Sequence, residues 1–303
     1  MRRAGIVLLG LGAFLLVLGP LVRFQIGTAL IAAKPNQYGV AKLEAKSAQY
    51  FSKGDLKVLT GDLDITVTTR GDVAAASGSR VVWDEFTAVR DVTNHKEDVS
   101  FSERRSAFDK YTGVGMNCCG VSIDKTPVTL EGQIYKFPFD VEKKPYKVFN
   151  STTGKAFEAK YVGEDQVNGL AVYKFEQDIP ETKLETVTAP ASVFNMPDEG
   201  DVQLDHLYTG KNTLWIEPVT GSPVKQEQQR NEVLKSADGV ERSKAFVATA
   251  MMTPATVDSL VKAASDGKGQ IGLIKTTIPL VLVVLGLVLI VGGVLMMRRR
   301  REG

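Results

Sequence analysis

Residues 276–297 read TTIPLVLVVLGLVLIVGGVLMM, 22 positions without a charged side chain, and Arg298, Arg299, Arg300 and Arg301 follow at once. At about 1.5 Å of rise per residue, such a run crosses a hydrocarbon core of about 30 Å. Lipid offers no hydrogen-bond partner to a bare backbone, and a helix satisfies its own amides. The stretch predicts a transmembrane helix over 271–297 with a basic tail over 298–303. Arginine clusters beside a span stay in the cytoplasm, which places the C-terminus inside.

The other end of the chain mirrors this one. Arg2 and Arg3 precede an uncharged run from Ala4 to Val22, and Arg23 closes it. A cleaved signal peptide has the same basic start but an apolar region of only roughly 7–15 residues. No A-x-A site follows directly; the nearest small-residue cluster is Ala29 to Ala33. The reading is an uncleaved anchor over 1–26. With Arg2 and Arg3 inside, residues 27–270 form an extracytoplasmic domain. The expectation is a two-pass plasma-membrane protein with both termini cytoplasmic.

Charge agrees with that division. The chain has 37 Lys and Arg against 35 Asp and Glu; without the eight basic residues at the spans and Glu302, 29 basic and 34 acidic residues remain. The middle is therefore mildly acidic and lacks the basic run that a nucleic acid would select. No nucleic-acid partner is expected.

The middle reads as mainly β. Leu63-Asp-Ile-Thr-Val-Thr-Thr69 alternates with period two, as do Val99 to Ser102 and Ala171 to Glu176. Breakers separate these runs at Gly71-Asp72, Ser77-Gly78, Asn168-Gly169 and Asp238-Gly239. Residues 214–225, LWIEPVTGSPVK, predict two strands around a turn built on Pro218 and Gly221. Val233, Phe246 and Val247 fall in later strands. Short, numerous strands without helices between them predict an antiparallel sheet or open barrel, an α+β domain flanked by the two terminal helices. Two helices are expected within it. One covers 254–264, with Thr253 before Pro254 as cap and first position; the other covers 41–52.

Cys118 and Cys119 are the only cysteines, and they are adjacent. Three readings remain open: a vicinal disulfide, which leads because exported domains meet oxidising surroundings; two buried thiols; or a redox or metal role with His95 or His206. No metal site and no cofactor are expected, since ligand spacing is missing. Catalytic motifs are absent too: no G-x-S-x-G, P-loop, dinucleotide fingerprint or H-E-x-x-H occurs. No catalytic residue is assigned, and the chain is not expected to be an enzyme. Asp62 and Asp64, and Asp84 and Glu85, read as strand-surface charges. Asn150-Ser-Thr152 is formally a glycosylation sequon.

Tyr135, Phe137, Phe139, Tyr146 and Phe149 gather around Pro138 and Pro145. Such a cluster is either a core strand with a proline-bent loop or the lining of an apolar groove.

The segments YTGVGMNCCGVSIDKTPV, GQIYKFPFDVEKKPY, GLAVYKFEQ and LWIEPVTG, set between two spans, resemble actinobacterial envelope proteins of the porin PorA-like family. GMNCCG and KFPFD are the most specific parts. The resemblance implies an actinobacterial plasma-membrane protein with an external domain. A literal transmembrane barrel is not what these residues suggest, because it needs outward apolar faces and aromatic girdles. The architecture also looks like that of class B scavenger receptors, in which a tunnel carries lipid toward the membrane. On these grounds the leading expectation is a non-enzymatic module that binds or transfers envelope lipids or another hydrophobic ligand, with the five aromatics as its lining. The alternatives are a structural or interaction protein of the envelope and an oligomeric porin-like channel, for which Gly286, Gly292 and Gly293 permit close helix packing. The expected partners are the plasma membrane, envelope lipids and other envelope proteins.

Overall fold

The computed structural model describes residues 2–197 and 200–298. Arg299, Arg300 and Arg301 lie outside them, as does most of the tail 298–303. The chain divides into two compact units, Ala33–Ala264 and the paired ends Met1–Ala32 with Ser265–Gly303.

The first unit is one antiparallel sheet. Its long strands are β1 (Tyr38–Ser52), β2 (Lys57–Gly71), β3 (Arg80–Asp91) and β4 (Lys96–Asp109). After three two-residue strands, β5 (Gly115–Met116), β6 (Ser122–Ile123) and β7 (Thr126–Pro127), come β8 (Tyr146–Asn150), β9 (Lys155–Val167) and β10 (Leu170–Pro190). The last three are β11 (Asp201–Ile216), β12 (Pro223–Lys235) and β13 (Glu241–Met252). The order is β7-β6-β4-β3-β2-β1-β13-β12-β11-β10-β9-β8, with β5 on β4. The sheet curls into a half-barrel. The mainly β expectation holds, but the strands are longer than the sequence suggested: β10 runs for 21 residues. Breakers interrupt hairpins, whereas bulges bend the long strands without ending them; β10 shifts register between Ile179 and Thr182, β1 between Ala45 and Ala48.

Residues 41–52 are strand, not helix. AKLEAKSAQYFS favours helix by composition, yet Leu43 and Ala45 point inward in alternation, and β1 pairs with both β2 and β13. Ladder bonds on two sides and burial of one face outweigh a weak local preference. The other helix forms but runs past its expected end at 264: α3 covers Pro254–Gly272 and takes in Asp266 to Gly269. Thr253 Oγ1 accepts from the Thr256 amide at 3.3 Å, and Val257, Val261 and Ala264 pack on Val172, Trp215 and Val224.

Large side chains form the core of this unit. Leu63, Phe108, Phe137, Phe175 and Ile216 are fully buried. Buried Gln177 donates to the carbonyls of Val148 at 2.7 Å and Phe157 at 3.1 Å and accepts from Asn212 at 2.8 Å. This satisfies a polar group that would otherwise cost stability in the core.

The paired ends form a second unit. α1 (Arg2–Leu21) leads through a π-helical turn, Val22–Ile26, into the one-turn α2 (Gly27–Leu30). A matching π turn, Leu273–Thr277, precedes α4 (Ile278–Arg298). Both helical ends are long and apolar enough to cross a membrane. The contacts pair Gly5 with Gly293, Gly12 with Gly286 and Gly19 with Pro279, so α1 and α4 run antiparallel. A seven-residue step is nearly two helical turns, and both rows therefore stay on one face. A methyl group on Gly12 would stand 2.7 Å from the Gly286 carbonyl oxygen, and one on Gly286 would stand 2.8 Å from that of Gly12. Backbone meets backbone along this seam, and only glycine permits it.

Candidate functional site

Three sequence segments, each part of a family-like motif, meet at one junction. After β4 the chain turns at Gly113, whose φ is +77°, and Gly115 donates to the Gly132 carbonyl at 2.9 Å. Gln133 then bridges Val114 on one side and Val148 of β8 on the other. Its amide donates to the Lys147 carbonyl at 2.8 Å, and its carbonyl accepts from Phe149 at 2.9 Å. The two ends of the curled sheet are tied through this single residue. Next, Phe137 donates to Gly221 at 2.8 Å, Asp140 to Val219 at 3.1 Å and Val141 to Pro218 at 2.7 Å. The KFPFD segment thus lies along the PVTG turn. Gly221 has φ +69°, and a methyl group there would stand 2.2 Å from the Phe137 carbonyl oxygen. The motif residues are the fastening of the sheet.

Four of the five aromatics divide between two core clusters. Tyr135 and Phe149 pack with Phe108, Val81 and Val82, and Trp83 stands 4.8 Å from Phe108 and 5.0 Å from Tyr135. Phe137 and Tyr146 pack with Phe175, the Phe137 ring 4.8 Å from Phe175 and 5.1 Å from Tyr146. Phe139 is half-buried, its ring centroid 3.6 Å from Lys136 Nζ. Two open depressions of ≈ 580 Å³ each lie elsewhere on the sheet, one around Lys46, Lys211 and Arg230, the other around Phe51, Phe194 and Arg242; none of the five aromatics lines either.

Buried charges are paired. Glu85, expected at the strand surface, turns inward and accepts from Arg104 at 3.0 Å; Arg104 also lies 4.6 Å above the Tyr135 ring. Burial pushes the Tyr135 hydroxyl up to about 12. Burial likewise lowers Lys136 to about 7, with the Asp109 charge opposing it. His206 Nε2 lies 3.0 Å from Glu232, which also accepts from Arg230 at 3.0 Å through its Nε. Burial disfavours the charged imidazole, but Glu232 and Glu185 outweigh it and raise His206. Burial disfavours the Glu232 carboxylate as well, and His206 and Arg230 outweigh it, so Glu232 is lowered. Spacing along the chain gave no hint of either network, because partners stand 19 and 26 residues apart.

Among the described residues no three His, Cys, Asp or Glu groups converge as metal ligands. The sequon is not presented for modification: Asn150 is buried, and its Oδ1 accepts from the Thr153 amide at 2.9 Å. Cys118 and Cys119 stand side by side, their sulfurs 2.6 Å apart.

The helix pair holds Gly5, Gly12 and Gly19, which the sequence reading missed. Gly286 and Gly293 close on α1, whereas no atom lies within 4 Å of a methyl group placed on Gly292. The available signal was the seven-residue spacing of Gly5, Gly12 and Gly19 against Pro279, Gly286 and Gly293. Arg23 Nη1 donates to the Lys275 carbonyl at 3.1 Å where the two π turns meet.

A family model described as Porin PorA matches residues 4–295, which takes in both apolar helices and the whole sheet. A Porin PorA of Corynebacterium amycolatum is 26% identical over 262 residues, covering 71% of this chain and 68% of that protein. A Porin PorA of Corynebacterium resistens is 27% identical over 239 residues, covering 58% of each chain. This chain thus spans less than two thirds of that second relative's length. These relatives are named as porins, not as lipid carriers, and the expectation of a lipid-binding or transfer module is corrected on that finding. A porin family places the protein with the membrane or envelope. By its match over nearly the whole length, this chain belongs to the Porin PorA family.

Proposed function

We propose that this protein forms a channel in the cell envelope and that the passage lies between copies of the chain. In this reading α1 and α4 cross the plasma membrane, Arg3 and Arg298 stay on the cytoplasmic side, and the sheet stands outside. The observation that carries the reading is the family match, which extends through both apolar helices.

The geometry favours several chains over one. Along the glycine seam the backbones of α1 and α4 approach so closely that a single added carbon would collide. No lumen fits between them. Phe108, Phe137 and Phe175 of the sheet unit are fully buried in packed clusters. A passage through one copy has no room in either unit, so copies must surround it. The outward faces of the helices, with Leu280, Val284, Leu287 and Val291 exposed, offer apolar surface to lipid and to neighbouring copies.

The test is electrical. Full-length protein reconstituted into a planar lipid bilayer is expected to give discrete conductance steps whose frequency rises more steeply than linearly with protein concentration. A bilayer that stays silent over the whole concentration range overturns the proposal.

A further inference from the structure

Gly115 of the GMNCCG segment donates to Gly132 at the junction that closes the sheet, and the two cysteines beyond it have a specific geometry of their own. Adjacent residues place their Cα atoms about 3.8 Å apart, closer than the usual disulfide span of about 4.4–6.8 Å. Neighbouring cysteines can join only where the backbone takes an unusual turn. Here the turn is already formed. Cys119 has φ +63° and Gly120 has φ +73°, two left-handed residues in succession. For a residue with a side chain that conformation costs about 1–2 kcal/mol, so its surroundings must hold it.

They do so from several sides. Arg105 Nε donates to the Cys119 carbonyl at 2.9 Å, while the same guanidinium reaches Asp72 at 2.6 Å and Asp84 at 2.9 Å. Val121 donates to the Cys118 carbonyl at 3.3 Å. Asn117 accepts from the Leu130 amide at 2.7 Å and donates to its carbonyl at 3.2 Å. Both cysteine side chains are half-buried against Val81, Phe108 and Leu130. A lasting thiolate is disfavoured in this setting: burial and then the Cys119 thiol push Cys118 above its ordinary range.

We propose that Cys118 and Cys119 are an oxidation site: they close into a vicinal disulfide, and that ring holds the turn presenting the Cys119 carbonyl to Arg105. The oxidant is a donor disulfide, small-molecule or protein-borne, as found in oxidising compartments. One cysteine, as thiolate, attacks a donor sulfur, forms a mixed disulfide and expels one donor thiol. The second cysteine then attacks the protein-bound sulfur, closes the S–S bond and expels the other donor thiol. The protein loses two protons and two electrons, and the donor gains them. This inference stands apart from the channel reading, because it concerns only the turn between β5 and β6.

Full-length protein from host envelope membranes, with free thiols alkylated during lysis under denaturing conditions, is digested and weighed. The expected peptide carries both cysteines unalkylated, is lighter by two hydrogen atoms than its reduced form, and takes two alkyl groups only after reduction. Two alkylated cysteines without reductant, persisting after incubation of the folded protein with glutathione disulfide, overturn the proposal. A second reading comes from hydrogen exchange over residues 117–123. Faster exchange in the reduced protein and in the C118S/C119S variant than in the oxidised protein supports the holding role; equal exchange in all three overturns it.

Discussion

At Gly12 a single added carbon would stand 2.7 Å from a carbonyl of the facing helix, whereas at Phe175 a whole aromatic ring packs between Phe137, Tyr146 and Tyr161. The helix pair and the sheet are built on opposite principles. In the pair the backbones approach at the glycines, and side chains such as Leu9, Leu16 and Ile290 of the facing helix pack over them. In the sheet the backbones are held apart at ladder spacing and side chains fill the space. The difference matches the surroundings proposed for each. Between lipid-facing helices apolar side chains gain little by meeting one another, and close backbone contact supplies the attraction. On the sheet's water-facing side, burying large rings is the main source of stability.

Substitutions can break this contrast one side at a time. The largest effect is expected for Gly12→Leu, which no side-chain rearrangement can accommodate. Amide exchange over residues 5–19 and 279–293 should rise sharply, while the thermal transition of the sheet stays where it was. A shift in that transition instead would show that the seam is not an independent element. Phe175→Ala should do the reverse. Removing a fully buried ring costs about 3–5 kcal/mol, read as a lower melting temperature of the sheet with unchanged exchange in the helices.

Gly221→Ala tests the fastening between the KFPFD segment and the turn before β12. A left-handed alanine that also meets the Phe137 carbonyl should lose about 1–3 kcal/mol, and exchange should rise first at residues 136–141. The smallest effect is a pH dependence. His206 is raised above its ordinary 6.5, so its contribution is fully present below that value and fades as pH rises through the folded-state value. Glu232 is lowered below its ordinary 4.5, so its contribution is present above that value and fades as pH falls through the folded-state value. Together they stabilise the sheet most between about pH 4.5 and 6.5. His206→Gln should lower the melting temperature inside that window and reduce its fall above about pH 6.5, and an unchanged profile would remove the pair from the account.

What the sequence disclosed depended on the length scale of each feature. Period-two alternation at Leu63 to Thr69 and the uncharged run at 276–297 are local, and both were read correctly as strand and helix. The strand at 41–52 was not, because its helix-favouring alanines and lysines yield to pairing with β2 and β13, and β13 lies some 200 residues away. The aromatics around Pro138 were visible as a group, but not their division between two cores, which follows from the bridge that Gln133 makes to Val148. Gly286 and Gly293 were noticed as packing positions; their partners on α1 were not, since nothing along one helix states which face another will meet.

The claim most exposed to test is that several copies make the passage. Full-length protein in lipid nanodiscs, drawn from the fraction that conducts in bilayers, can be weighed intact by native mass spectrometry. The account predicts a defined multiple of the 32.9 kDa chain, and dissociation of that assembly should abolish conductance. A conducting fraction that weighs as a single chain would contradict it.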